Sequence, residues 1–438
     1  MSATKGRLTL ILVFLFLYVP FLTTNGFQLA DKKNIDLPSF YYASDEVFNQ
    51  HESPYRPDAW SETEQKLQQK VFPYLYPPPS LLFFVPFSWF SYEGAKTAAL
   101  VINHLSLLFL LYLLLFRIFR LPSPLEPPAA EESNALSWLI LPVLLLYTLQ
   151  FHPVVVTLRH GQINLVVMTQ ICLFWVWLRE GKPAAMTAAP LALAIILKTY
   201  PAIFLPLLLV RRQYRIAAWT LGYSAALALA SLVILPSGTW DDWIRFVAPT
   251  GGYAAVPFHL FSPAMPWNQS INGFTARLFL HPDYALALNP VAARLVPTLL
   301  AGLIVGILVW FGRRMNNRPR RRYVNEEIAT VLLAIFLIAP LSWEHHLVFV
   351  LPAALLAVVH IFRGRMSVYV AVPVGLATGI LAWPLSYLFR IEGGGPMSLL
   401  VSLKFYSTVT LLVYFLSRLW QTESVDQPAR PGMKTVQG

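Results

Sequence analysis

Residues 95–120 read AKTAALVINHLSLLFLLYLLLFRIFR, and this stretch decides the fold class. No Asp, Glu, Lys or Arg lies between Lys96 and Arg117. The run is therefore long enough to cross the hydrocarbon core of a bilayer as one helix, which takes about 20 apolar residues. Because basic residues flank the cytoplasmic ends of such helices, Arg117 and Arg120 predict that this helix ends in the cytoplasm.

The composition of the whole chain also indicates a membrane protein. Of the 438 residues, 56% are hydrophobic and 13% are charged, whereas about 25% of the residues of a soluble protein are charged. The formal net charge is +11, but the arginines cluster beside apolar runs, which argues against nucleic-acid binding. The single cysteine, Cys172, excludes an internal disulfide and a cysteine-based metal site.

The other apolar runs and arginine clusters predict about twelve transmembrane helices with both termini in the cytoplasm. We expect an uncleaved first helix over about residues 8–23 and a single transmembrane domain over residues 1–420. Two long extracytoplasmic loops are expected, over residues 26–92, with interfacial helices, and over residues 236–293. Residues 421–438 are expected to form a disordered cytoplasmic tail. The predicted fold class is an all-α polytopic integral membrane protein.

A lysine interrupts the apolar segment that follows Lys182. Residues 184–197 and 200–210 are each too short to span a bilayer, and Lys198 lies between them. Two short helices that meet at a lysine predict a cavity cut into the membrane, because irregular backbone at that depth must line protein or water. We expect Lys198 to pair with an anion such as phosphate, with snorkelling to the surface as the alternative.

The first long loop offers a candidate base. Asp36 precedes Tyr41, and a carboxylate backed by aromatic rings can take a proton from a sugar hydroxyl. The alternative is one solvated acid among the eight of this loop. The loop ends at Tyr76-Pro77-Pro78, where prolines stiffen the chain. A structural turn is the preferred interpretation there, although Tyr76 can still face a pocket.

Three more polar clusters lie beside apolar runs. Residues 159–164 (RHGQIN) either cap a helix start or offer donors to an anionic ligand there. Residues 267–273 (WNQSING) suit a carbohydrate or a capped loop. Residues 342–346 (SWEHH) can bind a metal, but neighbouring helical residues point about 100° apart, so contact with phosphate or hydroxyl is preferred. The candidate ligand contacts in these clusters are Arg159, His160, Gln162, Asn164, Asn268, Gln269, Asn272, Glu344, His345 and His346.

The order of these motifs resembles glycosyltransferase family 87. This family consists of bacterial membrane enzymes of the GT-C superfamily and includes polyprenol-phosphate-mannose-dependent α-mannosyltransferases. The matching motifs are Asp36…Tyr41, Tyr76-Pro77-Pro78, Gly161-Gln162-x-Asn164, Lys198-x-x-Pro201, Asn268-Gln269-Ser270-x-Asn272-Gly273 and Pro340-x-Ser342-Trp343-x-His345.

The resemblance implies a GT-C fold whose first extracytoplasmic loop carries the catalytic acid, at Asp36. It implies transfer of a hexose, in particular mannose, from a polyprenyl-phosphate donor to a lipid or glycan acceptor, with inversion, in the bacterial plasma membrane. Lys198, Tyr41, Tyr76 and the candidate contacts above would bind the donor phosphate and sugar. No metal and no cofactor is expected, and the sequence sets no oligomeric state.

A transporter or flippase of lipid-linked sugars is the main alternative function. About twelve helices fit that class too, but transporters often bind their substrate at mid-membrane between repeats. Here the polar clusters gather at one surface, and the sequence has no internal repeat. A structural envelope protein is a third possibility, but it would not need Lys198 in a short helical hairpin.

Overall fold

The computed structural model describes residues 3–30, 32–57, 59–121, 135–256, 260, 262–279, 289–317, 320–384 and 397–425. Over these residues the chain is all-α and contains no β-strand, which confirms the predicted class. Residues 122–134 and most of the predicted tail over residues 421–438 lie outside the described residues.

Sixteen helices of seven or more residues are described. They are α1 (Ala3–Leu22), α2 (Leu37–Phe48), α3 (Ser61–Leu67), α4 (Tyr92–Tyr112), α5 (Ala135–Gln150), α6 (His152–His160), α7 (Asn164–Glu180), α8 (Ala184–Leu197), α9 (Phe204–Val210), α10 (Tyr214–Ile234), α11 (Ile271–Phe279), α12 (Pro290–Arg314), α13 (Arg320–Ile338), α14 (Leu351–Phe362), α15 (Val368–Ala382) and α16 (Leu403–Val425). Short 3₁₀ turns lie at Pro78–Phe83, Val85–Trp89, Tyr200–Ile203 and Glu344–Phe349, and α1 and α4 continue as π-helices over Thr23–Phe27 and Leu113–Ile118.

Several of these helices can cross a membrane. Among the described residues, four helical segments are long and apolar enough, and α5 with α6 makes a fifth if the bent pair counts as one span. The four segments are Ile11–Ala30, Tyr92–Ile118, Tyr214–Ile234 and Pro290–Arg314. Four shorter apolar helices accompany them. The chain is therefore a multi-pass membrane protein, while the count of about twelve helices stays a prediction.

The bend between α5 and α6 differs from the sequence prediction. The cluster over residues 159–164 was expected at a helix start, but after α5 the chain bends by 44° and continues helically to His160. Pro153 stands in the first turn of α6, where its missing N–H costs no hydrogen bond. Arg159 and His160 thus lie in the last turn of a helix, not at a helix start, so the helix dipole there favours cations.

The predicted break at Lys198 is present. Helix α8 ends at Leu197, Lys198 is extended with φ −148° and ψ 129°, and a 3₁₀ turn that contains Pro201 leads into α9. Helix α8 packs against α7 and α10, so the break lies inside the helix bundle. Lys198 is only 3% exposed. The alternative that Lys198 snorkels to the surface is therefore wrong.

The first loop forms a small packed module, which we call the loop module (residues 32–91). Helices α2 and α3 and two 3₁₀ turns surround an apolar cluster that includes Phe40, Tyr42 and Tyr74, separate from the main core. At the end of this loop, where an interfacial helix was expected, the chain forms two 3₁₀ turns, because prolines remove backbone donors that a longer helix needs. The loop module is thus a folded layer with its own core.

Candidate active site

A cavity of about 220 Å³ lies where the loop module meets the break at Lys198 and the 3₁₀ turn Glu344–Phe349. Its polar and aromatic lining residues include Asp36, Ser39, Tyr76, Gln162, Lys198, Thr199, Tyr200, Trp243, Thr250, Trp343, His345 and His346. The sequence motifs that were expected to form a site therefore meet here in part. The aromatic residues Tyr200 and Trp243 also line the cavity, although the motifs did not single them out.

Asp36 is fixed at the cavity from two sides. It stands immediately before α2 as the N-cap residue, but its carboxylate makes no capping hydrogen bond to that helix. Its backbone N–H donates to the carbonyl of His160 at 2.9 Å, and Nδ1 of His160 lies 3.1 Å from Oδ2 of Asp36. Nearby, Nδ2 of Asn34 donates to the carbonyl of Arg159 at 2.9 Å. The end of α6 thus holds both the backbone and the side chain of Asp36.

Gly161 allows this close approach. It adopts a left-handed conformation with φ +71° as it ends α6. A Cβ atom at this position would lie 2.6 Å from Cβ of Leu37, which is closer than real Cβ contacts come. Position 161 therefore requires glycine for two reasons, its left-handed backbone conformation and the lack of room for a Cβ atom beside Leu37.

The surroundings of Asp36 favour its ionised form. Burial raises the pKa of Asp36, but the hydrogen bond with His160 and the electrostatic effects of His345 and His160 lower it more, so its pKa lies below the usual value. Asp36 is therefore a carboxylate at neutral pH. An ionised carboxylate in a partly enclosed cavity can accept a proton from a bound hydroxyl group.

Lys198 lies deeper in the same cavity. Its Nζ atom is 3.1 Å from Nε2 of His346 and 5.3 Å from the ring centroid of Tyr76. Burial lowers the pKa of Lys198 to about 7, although the charge of Asp36 acts in the opposite direction. A bound anion would stabilise the charged form of the Lys198 amine, which burial disfavours.

His345 joins the group around Asp36. The ring centroids of His160 and His345 lie 5.4 Å apart, and one ligand atom each of Asp36, His160 and His345 falls within 4.8 Å of the others. Carboxylate and imidazole are ligands that suit a divalent transition metal. Among the described residues these three are the group able to hold such an ion, although Asp36 and His160 already contact each other.

Other candidate residues hold the backbone around the cavity and do not line it. Asn164 Nδ2 donates to the carbonyl of His345 at 3.0 Å. Oδ1 of Asn268 accepts from the N–H of Ser342 at 3.0 Å, and Asn272 Nδ2 donates to the carbonyl of Pro340 at 2.8 Å. These side chains therefore clamp the segment that leads to His345, where a carbohydrate contact was expected.

Gln269 belongs to the same clamp. Its backbone N–H donates to the carbonyl of Ser342 at 2.8 Å, and its side-chain amide contacts the carbonyl of Val401 and the N–H of Phe405. Gly273 packs so closely that a Cβ atom there would lie 2.1 Å from the carbonyl oxygen of Asn268. Gln269 thus joins the segment before His345 to the start of α16.

Of the remaining candidate residues, two line the cavity and two do not. Tyr76 and Gln162 line the cavity, and the Tyr76 hydroxyl donates to Oε1 of Gln162 at 3.0 Å. Tyr41 does not line it, because its hydroxyl donates to the carbonyl of Phe90. Arg159 is exposed and lines a different concavity, which shares no residue with this cavity.

Glu344 is buried behind the cavity. Its Oε1 atom lies 3.0 Å from Nδ1 of His152 and accepts a hydrogen bond from Nζ of Lys404. Burial raises the pKa of Glu344, but His152 and Lys404 together lower it to about 2. Neither His152 nor Lys404 was predicted from the sequence. A lysine inside the apolar run that follows residue 397 was the available signal for Lys404.

The model of glycosyltransferase family 87 matches residues 74–340, which is more than half of the chain. The chain belongs to glycosyltransferase family 87. The matched range includes the family 87 motifs at Tyr76, Gln162 and Lys198, whereas Asp36 precedes it and His345 follows it. The family match therefore does not cover Asp36 and His345, and their position in the cavity is what links them to the candidate site.

Two curated relatives of this family 87 chain carry the same name, polyprenol-phosphate-mannose-dependent alpha-(1-2)-phosphatidylinositol mannoside mannosyltransferase. The one from Mycobacterium tuberculosis is 29% identical over 285 residues, which cover 65% of this chain and 61% of the relative. The one from Mycolicibacterium smegmatis is 27% identical over 319 residues, which cover 71% of this chain and 67% of the relative.

Proposed function

We propose that this protein is a membrane mannosyltransferase that moves mannose from a polyprenyl-phosphate donor to a lipid acceptor. The observation that carries the proposal is one cavity with two complementary groups, the carboxylate of Asp36 and the buried amine of Lys198. The two relatives are named for a polyprenol-phosphate-mannose donor and a phosphatidylinositol mannoside acceptor, which supports both substrate classes.

Lys198 and His346 are the proposed donor-phosphate contacts. The lipid tail of the donor stays in the bilayer, and its phosphate lies beside Nζ of Lys198. As the bond between phosphate and sugar breaks, negative charge grows on the leaving phosphate. A fixed cation in a cavity of low polarity stabilises this charge more strongly than it would in water. The ring of Tyr76, beside Lys198, borders the same space.

Asp36 is the proposed general base. It takes the proton of the acceptor hydroxyl while that oxygen attacks the anomeric carbon of the donor sugar. The new glycosidic bond forms as the bond from the anomeric carbon to the phosphate oxygen breaks, and both electrons leave with the phosphate. One displacement from the face opposite the phosphate inverts the anomeric centre. His160 orients the carboxylate through its hydrogen bond.

The cavity is proposed to face the extracytoplasmic side of a bacterial plasma membrane. The loop module that carries Asp36 follows the first helix. The basic residues Arg117 and Arg179 lie at the far ends of α4 and α7, on the side that the positive-inside rule assigns to the cytoplasm.

The test is sugar transfer by the purified protein in lipid, with polyprenyl-phosphate-mannose as donor and phosphatidylinositol mannoside as acceptor. Wild type is compared with Asp36→Asn, and Glu62→Gln, an exposed acid of the same module, is the control. Loss of about 10²–10⁴-fold in kcat only in Asp36→Asn supports the proposal. Transbilayer movement of the donor without a new glycosidic bond would instead identify a flippase.

A further inference from the structure

A second concavity, which we call the α1 groove, shares no lining residue with the cavity at Asp36. It has a volume of about 480 Å³ and lies between α1 and the bent pair of α5 and α6. Its walls are apolar over most of their length, with Phe16 and Pro20 on α1 facing Leu146 and Leu149 on α5. Phe16 and Leu146 are 78% and 47% exposed, so the α1 groove is open to the bilayer.

The α1 groove has a polar end. Arg159 lies there, with Thr24 and Gln150 beside it. Arg159 is exposed, and within the described ranges no Asp or Glu forms an ion pair with it. An arginine at the end of an apolar groove matches a phospholipid, because its guanidinium can bind a phosphate while the groove covers a hydrocarbon chain.

The position of Arg159 decides which lipid fits. In the proposed donor, the phosphate is bonded to the reacting carbon and must lie in the cavity with Asp36. The α1 groove shares no lining residue with that cavity, and between the two sites Asn34 and Asp36 are hydrogen-bonded to the carbonyls of Arg159 and His160. A phosphate at Arg159 therefore belongs to a lipid whose reacting hydroxyl lies several bonds away from its phosphate.

We infer that the α1 groove holds the lipid part of the acceptor, with its phosphate on Arg159 and a hydrocarbon chain between α1 and α5. The glycan of the acceptor then crosses the 34–36 segment and presents its hydroxyl to Asp36. This inference rests on the proposed function. It gives Arg159 a role in acceptor binding, in place of the donor contact expected from the sequence.

Binding is tested first, without any need for turnover. The probe is phosphatidylinositol with a photoreactive group on an acyl chain, added to the protein in phosphatidylcholine nanodiscs. Cross-links are expected on residues 16–21 and 146–149, and excess unlabelled phosphatidylinositol should suppress them. Arg159→Gln and Leu146→Trp should each reduce the labelling several-fold. The controls are Arg294→Gln, an exposed arginine, and Leu139→Trp, an exposed residue of the same helix α5.

Kinetics then show whether the bound lipid is the acceptor. Two acceptors with the same terminal mannose are compared, phosphatidylinositol mannoside and a short-chain mannoside without phosphate. Arg159→Gln should raise KM for the phosphorylated lipid about tenfold, as loss of a charge-assisted contact does, and leave KM for the short mannoside unchanged.

Three results would overturn the inference. Labelling that is unchanged in Arg159→Gln and Leu146→Trp removes the α1 groove as a phospholipid site. Labelling by a photoreactive polyprenyl phosphate in place of phosphatidylinositol assigns the α1 groove to the donor. Normal labelling with an unchanged KM for the phosphorylated lipid identifies a resident structural lipid. Absence of transfer to either acceptor by wild type contradicts the proposed function, whatever the labelling.

Discussion

The Nζ atom of Lys198 lies 3.1 Å from Nε2 of His346, and both side chains are buried. The N–H of Trp343 donates to Nδ1 of the same ring at 3.1 Å. The proton of a neutral His346 ring is therefore on Nε2, where it faces the Lys198 amine. A ring nitrogen that carries a proton can donate only to an uncharged amine, so the pair is arranged to take up a proton when an anion binds.

Donor binding should therefore depend on pH. Burial lowers the pKa of Lys198 to about 7, so the free amine is mostly charged below pH 7 and mostly neutral above it. A donor phosphate binds the charged form, so KM for the donor should rise about tenfold per pH unit well above pH 7. In Lys198→Arg the side chain stays charged, and this rise should disappear. Initial rates between pH 6 and 9 measure it, and an unchanged slope in Lys198→Arg contradicts the assignment.

Removing His160 should change the acid limb of the pH profile. His160 helps to lower the pKa of Asp36, so in His160→Ala that pKa should rise. Because Asp36 acts as the carboxylate, kcat/KM of the variant should begin to fall at a higher pH than in wild type. We also expect kcat to fall by about 10–100-fold at neutral pH, since the carboxylate loses its orienting contact. A lower kcat with an unshifted acid limb would indicate a merely structural role.

A comparison of Gly161 with Gly181 separates backbone strain from the collision with Leu37. Both end a helix in the left-handed conformation, with φ +71° and +69°. A Cβ atom at Gly161 would collide with Leu37, whereas nothing lies within 4 Å of one at Gly181. Both alanine variants should lose about 1 kcal/mol of stability from backbone strain, but only Gly161→Ala should also lose activity, because it displaces Asp36. Thermal unfolding and transfer rates measure the two effects, and equal rates in both variants would contradict this.

The buried cluster of Glu344, His152 and Lys404 should be a stability element. Lys404→Met leaves the Glu344 carboxylate without its cationic partner, which costs about 3–5 kcal/mol in comparable buried pairs. The double variant Glu344→Gln/Lys404→Met removes both charges and should regain much of that loss. Thermal unfolding in detergent followed by tryptophan fluorescence compares them. A double variant that is less stable than Lys404→Met would refute the charge argument.

Transfer should not depend on an added divalent metal. The leaving group is a monophosphate, and Lys198 supplies a positive charge at its proposed position, so we expect full activity after incubation with EDTA. The assay is the transfer reaction with and without chelator, followed by addition of Mn²⁺ or Mg²⁺. Activity that disappears with EDTA and returns with one of these ions would assign Asp36, His160 and His345 as its ligands.

The features that depend on local composition could be predicted from the sequence. Long apolar runs gave the all-α membrane class, and a lysine between two short runs gave the break that the structure has at Lys198. Three residues that the sequence proposed for one site, Asp36, Gln162 and His345, line the same cavity in the structure. Their catalytic and binding roles stay predictions until transfer is measured.

The sequence could not predict which way a side chain points or which distant residues pair by hydrogen bonds. The bend after α5 places Arg159 at the end of a helix, and only the three-dimensional course of the chain turns it away from the cavity. Asn268 has the polarity of a sugar contact, but two of its hydrogen bonds join it to backbone more than 70 residues away. The same residue type can bind a sugar or hold a distant backbone segment, so only the three-dimensional structure identifies its partner.

The bond between His160 and Asp36 also bears on how the protein is made. These residues are 124 positions apart in the chain, and the backbone N–H of Asp36 depends on the same partner as its carboxylate. During synthesis the loop module is therefore complete long before the helix that holds its base has been inserted. A nascent chain has no assembled catalytic centre until α6 is in the membrane. An assembled site therefore means that membrane insertion has proceeded at least as far as α6.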